Sequence, residues 1–159
     1  YVLPYMRKVK SGHIINLSSM AGLLSSAGWG IYNASKYAVE GFTESMYHEV
    51  KSLGIKVTML EPGAFRTHFL AGSLSSAKQV ISDYDATAGS TRQRLIANNG
   101  KQPNNPEKAA IATYNVVNMD NPPLRLLLGK DAYDNAEKKI ALLKADFELM
   151  KAVTMATDY

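Results

Sequence analysis

Between His13 and Gly41 the chain reads HIINLSSMAGLLSSAGWGIYNASKYAVEG, and no other stretch restricts the fold as tightly. His13 to Leu17 is an apolar run with one interruption, Asn16. Without polar alternation, such a run suits a parallel strand covered on both faces. An excursion through Met20-Ala21-Gly22 and Gly28-Trp29-Gly30 follows. A helix then opens, carrying Tyr32 and Lys36 on one face, one turn apart. Ser19 lies thirteen residues before Tyr32, at the end of the predicted strand, and Ser18 points the other way in the pleat.

These residue types can share one chemical task. A phenol is a poor acid–base catalyst near neutral pH unless something stabilises the phenolate, and a cation within about 4–6 Å does so. Lys36 supplies that charge. Tyr32 can then give a proton to a carbonyl oxygen or take one from an alcohol. Ser19, facing the same pocket, can hydrogen-bond that oxygen. No side chain carries a hydride, so a nicotinamide cofactor is required.

The next elements continue an α/β pattern. From about Gly30 to Leu53, Ala38, Val39, Phe42, Met46, Val50 and Leu53 recur at spacings of three and four and predict one buried stripe. Gly54 ends the helix. Ile55 to Leu60 predicts a second strand, joined to the first as a strand–helix–strand unit with a parallel crossover. It runs into Glu61-Pro62-Gly63-Ala64-Phe65-Arg66-Thr67.

Taken together, the strand ending in Ser18-Ser19, the Tyr32-Asn33-Ala34-Ser35-Lys36 segment and the Pro-Gly-x-x-x-Thr turn resemble the active-site region of the short-chain dehydrogenase/reductase family. The resemblance implies a doubly wound parallel sheet of Rossmann type, of which residues 1–159 are the C-terminal half. It implies an NAD- or NADP-dependent oxidoreductase that interconverts a carbonyl and an alcohol. Ser19, Tyr32 and Lys36 would be catalytic, and Lys36 would also bind the nicotinamide ribose. Tyr32, Lys36, Pro62, Gly63, Phe65 and Thr67 would contact the cofactor. The family's glycine-rich phosphate loop does not occur in these residues, so the half of the site that holds the pyrophosphate is expected upstream, as is the family's catalytic Asn. Two other readings use the same residues: a non-catalytic binding or regulatory module, and a sugar-nucleotide epimerase or dehydratase. The family's dimer interface would fall on the helices at residues 1–8 and 30–53, predicting a homodimer or homotetramer.

The remaining chain is less distinctive. Residues 1–8 read as the last turns of a helix stopped by Ser11-Gly12. Residues 68–100 are polar, with breaks at Tyr84-Asp85 and Ala88-Gly89, and predict short helices acting as a substrate lid. Asn105-Pro106-Glu107 opens a helix, with Asn105 as cap, Pro106 at the first position, and Ala109, Ala110, Ala112, Val116 and Val117 on its buried side. Asn121-Pro122-Pro123 stops it, and Leu124 to Gly129 predicts a third buried strand. Asp131 to Tyr159 predicts an amphipathic helical tail through Ala136, Ile140, Leu143, Phe147, Met150 and Val153.

Composition narrows the class further. At 159 residues the chain is long enough for one core. Its net charge of +4 contains no block of like charges, which argues against nucleic-acid binding. It has no cysteine, so disulfides and thiolate metal sites are excluded. No apolar run approaches the ~18 residues of a membrane span. The expected partner is a small carbonyl or alcohol substrate, with no nucleic acid or membrane, and the expected compartment is the cytoplasm.

Overall fold

Three parallel strands set the architecture of the computed structural model, which describes residues 1–159. β1 (Gly12–Leu17) pairs with β2 (Ile55–Pro62), placing Gly12 opposite Ile55 and Leu17 opposite Leu60. β2 pairs on its other side with β3 (Arg125–Leu128), placing Met59 opposite Arg125 and Pro62 opposite Leu128. The helices are α1 (Leu3–Val9), α2 (Gly30–Val50), α3 (Ser90–Asn98), α4 (Pro106–Val117) and α5 (Lys130–Met155).

β2 is central, and its residues from Val57 to Glu61 are all buried. β1, expected to be covered on both faces, is only partly buried, because it forms an edge of this sheet. Asn16, its one polar interruption, donates to the Thr43 hydroxyl of α2 at 2.8 Å and so ties strand to helix. The apolar core lies where α2 meets β2: Met46, Val50, Ile55 and Val57 pack together, with Leu3, Met6 and Ile14 against them.

Several boundaries differ from expectation. α1 stops at Lys10, which adopts a left-handed conformation (φ 50°), rather than at Ser11-Gly12. The Lys10 N–H reaches back to the Arg7 and Met6 carbonyls and closes the last turn without glycine. β2 runs two residues beyond Leu60, because its pairing with β3 continues through Glu61 and Pro62. The buried face of α2 shares only Met46 and Val50 with the predicted apolar stripe. It comprises Asn33, Glu40, Thr43, Met46 and Val50, while Phe42 is 67% exposed. Polar residues face inward there because each meets a partner on the sheet or the excursion.

Gly54 ends α2's final turn in the left-handed region (φ 75°), as expected. Residues 82–98 are helical throughout, and the expected breaks at Tyr84-Asp85 and Ala88-Gly89 mark changes of helical geometry, from 3-10 to π after Tyr84 and from π to α after Gly89, rather than gaps. Asn105 caps α4 by accepting from the Glu107 N–H at 2.8 Å, with Pro106 at the first position. Of the side predicted to be buried there, only Val116 is fully covered. α5 buries Ala132 and Ala136 alone, and Ile140, Phe147, Met150 and Val153 are exposed. No helix is long and apolar enough to cross a membrane.

Candidate active site

β1 delivers Ser19 to the site. The ladder extends one residue past Leu17, where the Ser18 N–H donates to the Leu60 carbonyl at 2.8 Å. Ser19 then remains extended (φ −169°, ψ 160°), and its side chain caps the 3-10 turn Met20–Gly22. Its hydroxyl oxygen accepts from the Ala21 N–H at 3.1 Å and donates to the Pro62 carbonyl at 3.5 Å. The second contact is long and weak. Ser19 therefore spans the ends of β1 and β2, and its proton is only loosely engaged.

The excursion is held down by two side chains of α2. Buried Asn33 donates to the Ala21 carbonyl at 2.8 Å and the Leu24 carbonyl at 3.3 Å. Tyr37 donates to the Leu23 carbonyl at 2.6 Å. Tyr32 and Lys36 lie half-buried on the same helix. The Lys36 ammonium is 5.8 Å from the centre of the Tyr32 ring and donates to the Leu17 carbonyl at 3.1 Å. That bond pins the lysine to the strand end that leads into Ser19. Trp29 and Phe69 enclose the ring, with centroids 5.1 and 5.7 Å from it.

At the end of β2, the Gly63 N–H donates to the Leu128 carbonyl at 2.9 Å. The space a Cβ would fill at Gly63 is occupied by the Asp131 carboxylate, from the first turn of α5. Asp131 accepts from the Ala64 N–H and from the Asn104 side-chain amide, each at 2.7 Å. Phe65 forms a bridge with Asn104. The Thr67 side chain is exposed, and its hydroxyl accepts from the Phe69 N–H at 3.3 Å. Pro62 ends β2, and Ser19, Gly63, Phe65 and Thr67 follow the carboxyl ends of β1 and β2, the end at which open α/β sheets bind ligands. The residues present fit the nicotinamide end of a dinucleotide: Lys36 keeps free N–H donors, Thr67 presents a hydroxyl, and the turn presents backbone.

Sequence reasoning missed an ionic cluster just behind this edge. Arg125 of β3 donates to Glu40 through Nε at 3.2 Å and to Glu44 through Nη2 at 2.8 Å, and its Nε lies 3.4 Å from Glu61. Glu61 is completely buried. Burial pushes its carboxyl up to about 8, the nearby Glu40 charge adds to the effect, and Arg125 opposes it. Glu44, hydrogen-bonded to Arg125, is held below the usual carboxylate range. Burial works against the Arg125 charge but is outweighed by Glu44, Glu40 and Glu61, so its value is raised. One signal was present in the sequence: a lone arginine inside Leu124-Arg125-Leu126-Leu127-Leu128 must find carboxylates if that strand is covered.

A parallel sheet flanked by helices, with Ser19 just past the end of β1 and Tyr32 and Lys36 on the helix that follows, defines the class as a Rossmann-like α/β protein. The short chain dehydrogenase family profile matches residues 1–78. Oxidoreductase BOA17 of Botryotinia fuckeliana is 39% identical over 156 residues, covering 98% of this chain and 57% of that protein. The 3-ketodihydrosphingosine reductase of Bacteroides thetaiotaomicron is 37% identical over 129 residues, covering 80% of this chain and 48% of that protein. A short-chain dehydrogenase from Streptomyces avermitilis superposes with a TM-score of 0.84 at 37% identity, covering 98% of this chain and 56% of that one. The chain belongs to the short-chain dehydrogenase/reductase family. It spans about half the length of the curated relatives it matches.

Proposed function

We propose that the full-length protein is an NAD(P)-dependent oxidoreductase that interconverts a carbonyl and an alcohol, with Tyr32 as acid–base, Lys36 as its charge partner and Ser19 as the group that orients the substrate oxygen. The observation that carries this reading is the Lys36 ammonium, held 5.8 Å from the Tyr32 ring by its bond to Leu17. A lysine that only solvated the surface would not be anchored at the strand end that leads into Ser19.

Each residue has a defined task. The Tyr32 hydroxyl donates a proton to the carbonyl oxygen in reduction and takes one from the alcohol in oxidation. The ammonium of Lys36 favours the phenolate that forms in reduction. One of its N–H groups is on Leu17, and the others would be free to hold the nicotinamide ribose. Ser19 keeps its acceptor role toward Ala21 and turns its weakly held proton from Pro62 to the substrate oxygen. Pro62, Gly63, Phe65 and Thr67 would hold the nicotinamide. The nicotinamide, when bound, supplies or accepts the hydride. Solved neighbours of the same fold hold NAD or NADP, which supports the cofactor class. Trp29 and Phe69 exclude water around the phenol.

Residues 68–100 serve as the substrate lid in this reading. Two contacts support it: Phe69 stacks on Trp29 with centroids 6.4 Å apart, and Ala88 packs against Gly28 at the mouth of the excursion. Exposed Ile31 and Phe42 on α2 and Tyr5 on α1 support a homo-oligomer built on those helices.

Tyr32→Phe tests the assignment. The variant is expected to keep the fold and lose turnover by roughly 10²–10⁴-fold, the usual contribution of a positioned acid–base group. Turnover close to that of the unaltered protein would remove Tyr32 from the chemistry.

A further inference from the structure

The carboxyl cluster behind the site holds more acceptors than the surrounding donors can satisfy. Both Glu61 oxygens and Glu40 Oε1 are buried without a hydrogen-bond partner. One guanidinium faces Glu40, Glu44 and Glu61 together. A single proton resolves this. If Glu61 carries it, its O–H can donate to the orphaned Glu40 oxygen, leaving two carboxylates on Arg125.

The cluster lies on the elements that carry the candidate site. Glu40 lies one turn beyond Lys36, on the helix that carries Tyr32. Glu61 immediately precedes Pro62, whose carbonyl accepts from Ser19. A Cβ at Gly22 would lie 2.8 Å from both the Glu40 side chain and the Ser18 hydroxyl, so only glycine fits between the cluster and the turn. Gly22 ends the turn that Ser19 caps.

We propose that Glu61 and Glu40 share one proton above Arg125, and that this proton-bearing unit positions α2 and the Ser19 turn against the end of β2, so that losing the proton loosens the site. Glu61 and Glu40 are positioning residues here, since neither reaches the substrate. Loss of the proton to solvent leaves three carboxylates facing one guanidinium. From α2 the facing charges are Glu40 and Glu44, and from β3 Arg125. Lys36 and Asp131 are engaged with Leu17 and Ala64. The role in positioning Tyr32 and Lys36 rests on the reading of the site given above.

Trp29, the only tryptophan of this chain, reports on the site without turnover, because its ring lies 5.1 Å from that of Tyr32. In the full-length protein, its emission, isolated by subtracting that of a Trp29→Phe variant, is followed against pH. The expected result is a change with a midpoint near 8. Glu61→Gln should abolish that midpoint, and Tyr32→Phe should leave it in place. If Glu61→Gln does not fold, Glu40→Gln serves: removing the neighbouring charge should move the midpoint down by about one unit or more. A flat titration between about pH 6 and 9, a midpoint unchanged in either glutamine variant, or one lost in Tyr32→Phe would overturn the proposal. Because no arm measures turnover, these results stand apart from the test of Tyr32 as catalyst.

Discussion

The Lys36 ammonium donates to the Leu17 carbonyl at 3.1 Å while lying 5.8 Å from the centre of the Tyr32 ring. One side chain thus links the helix that carries the phenol to the strand that leads into Ser19. Lys36→Met should keep the fold, since the lysine is only half-buried, and should lower kcat sharply. Lys36→Arg should rescue little, because a planar guanidinium cannot reproduce a point charge at the end of a flexible stem. Steady-state kinetics of both variants, with circular dichroism as the folding control, check this.

Stability should fall as pH rises. The Glu61 carboxyl is pushed from an ordinary value near 4.5 up to about 8 in the fold, chiefly by burial. Between those values the folded chain binds a proton that the unfolded chain has released, so each step up in pH favours unfolding. The contribution is complete below about 4.5, drains away across the window and is gone above about 8. Thermal unfolding of the unaltered protein and of Glu61→Gln at several pH values checks this. The glutamine variant should show a flatter dependence across that window.

Gly54→Ala should destabilise the protein by at least about 1 kcal/mol through the left-handed backbone alone. Gly54 has φ of 75°, and a Cβ there would run into the backbone carbonyl of Lys10. That neighbour is main chain leading into β1 and cannot swing aside. Denaturant unfolding measures the loss, and an unchanged midpoint would contradict it.

The parts of this fold legible in the sequence are those governed by local chemistry. Parallel strands at Ile14 and Val57, the Asn105-Pro106 helix start and the stop at Gly54 each follow from residues within a few positions. Met46 and Val50 on the buried face of α2 were legible, but its polar members were not, because they are decided by distant partners. Glu40 turns inward to meet Arg125, 85 residues away, and Thr43 turns inward to meet Asn16, 27 residues away. Hydrophobic periodicity gives such residues no weight, so it turned Phe42 inward, where the structure leaves it exposed. The Ser19–Tyr32–Lys36 spacing was legible because it sits on one strand, one short excursion and one helix. The Asp131 contact with the Pro-Gly turn was not, since 67 residues separate Asp131 from Ala64.

That contact yields the last prediction. Asp131 fills the space left by the missing Cβ of Gly63, accepting from the Ala64 N–H and the Asn104 amide. Gly63→Ala should drive the carboxylate out and break both bonds. Asp131→Ala should break the same bonds without the steric push, at a cost on the order of 1–3 kcal/mol for hydrogen bonds to a charged group. Because both substitutions destroy one arrangement, their effects should not add: in Gly63→Ala/Asp131→Ala the methyl group finds the room the carboxylate has vacated. The double-mutant cycle should therefore give a favourable coupling energy, measured by denaturant unfolding of all four proteins. Strict additivity would mean that Gly63 and Asp131 act independently, and the close approach of α5 to the turn would then have no energetic weight.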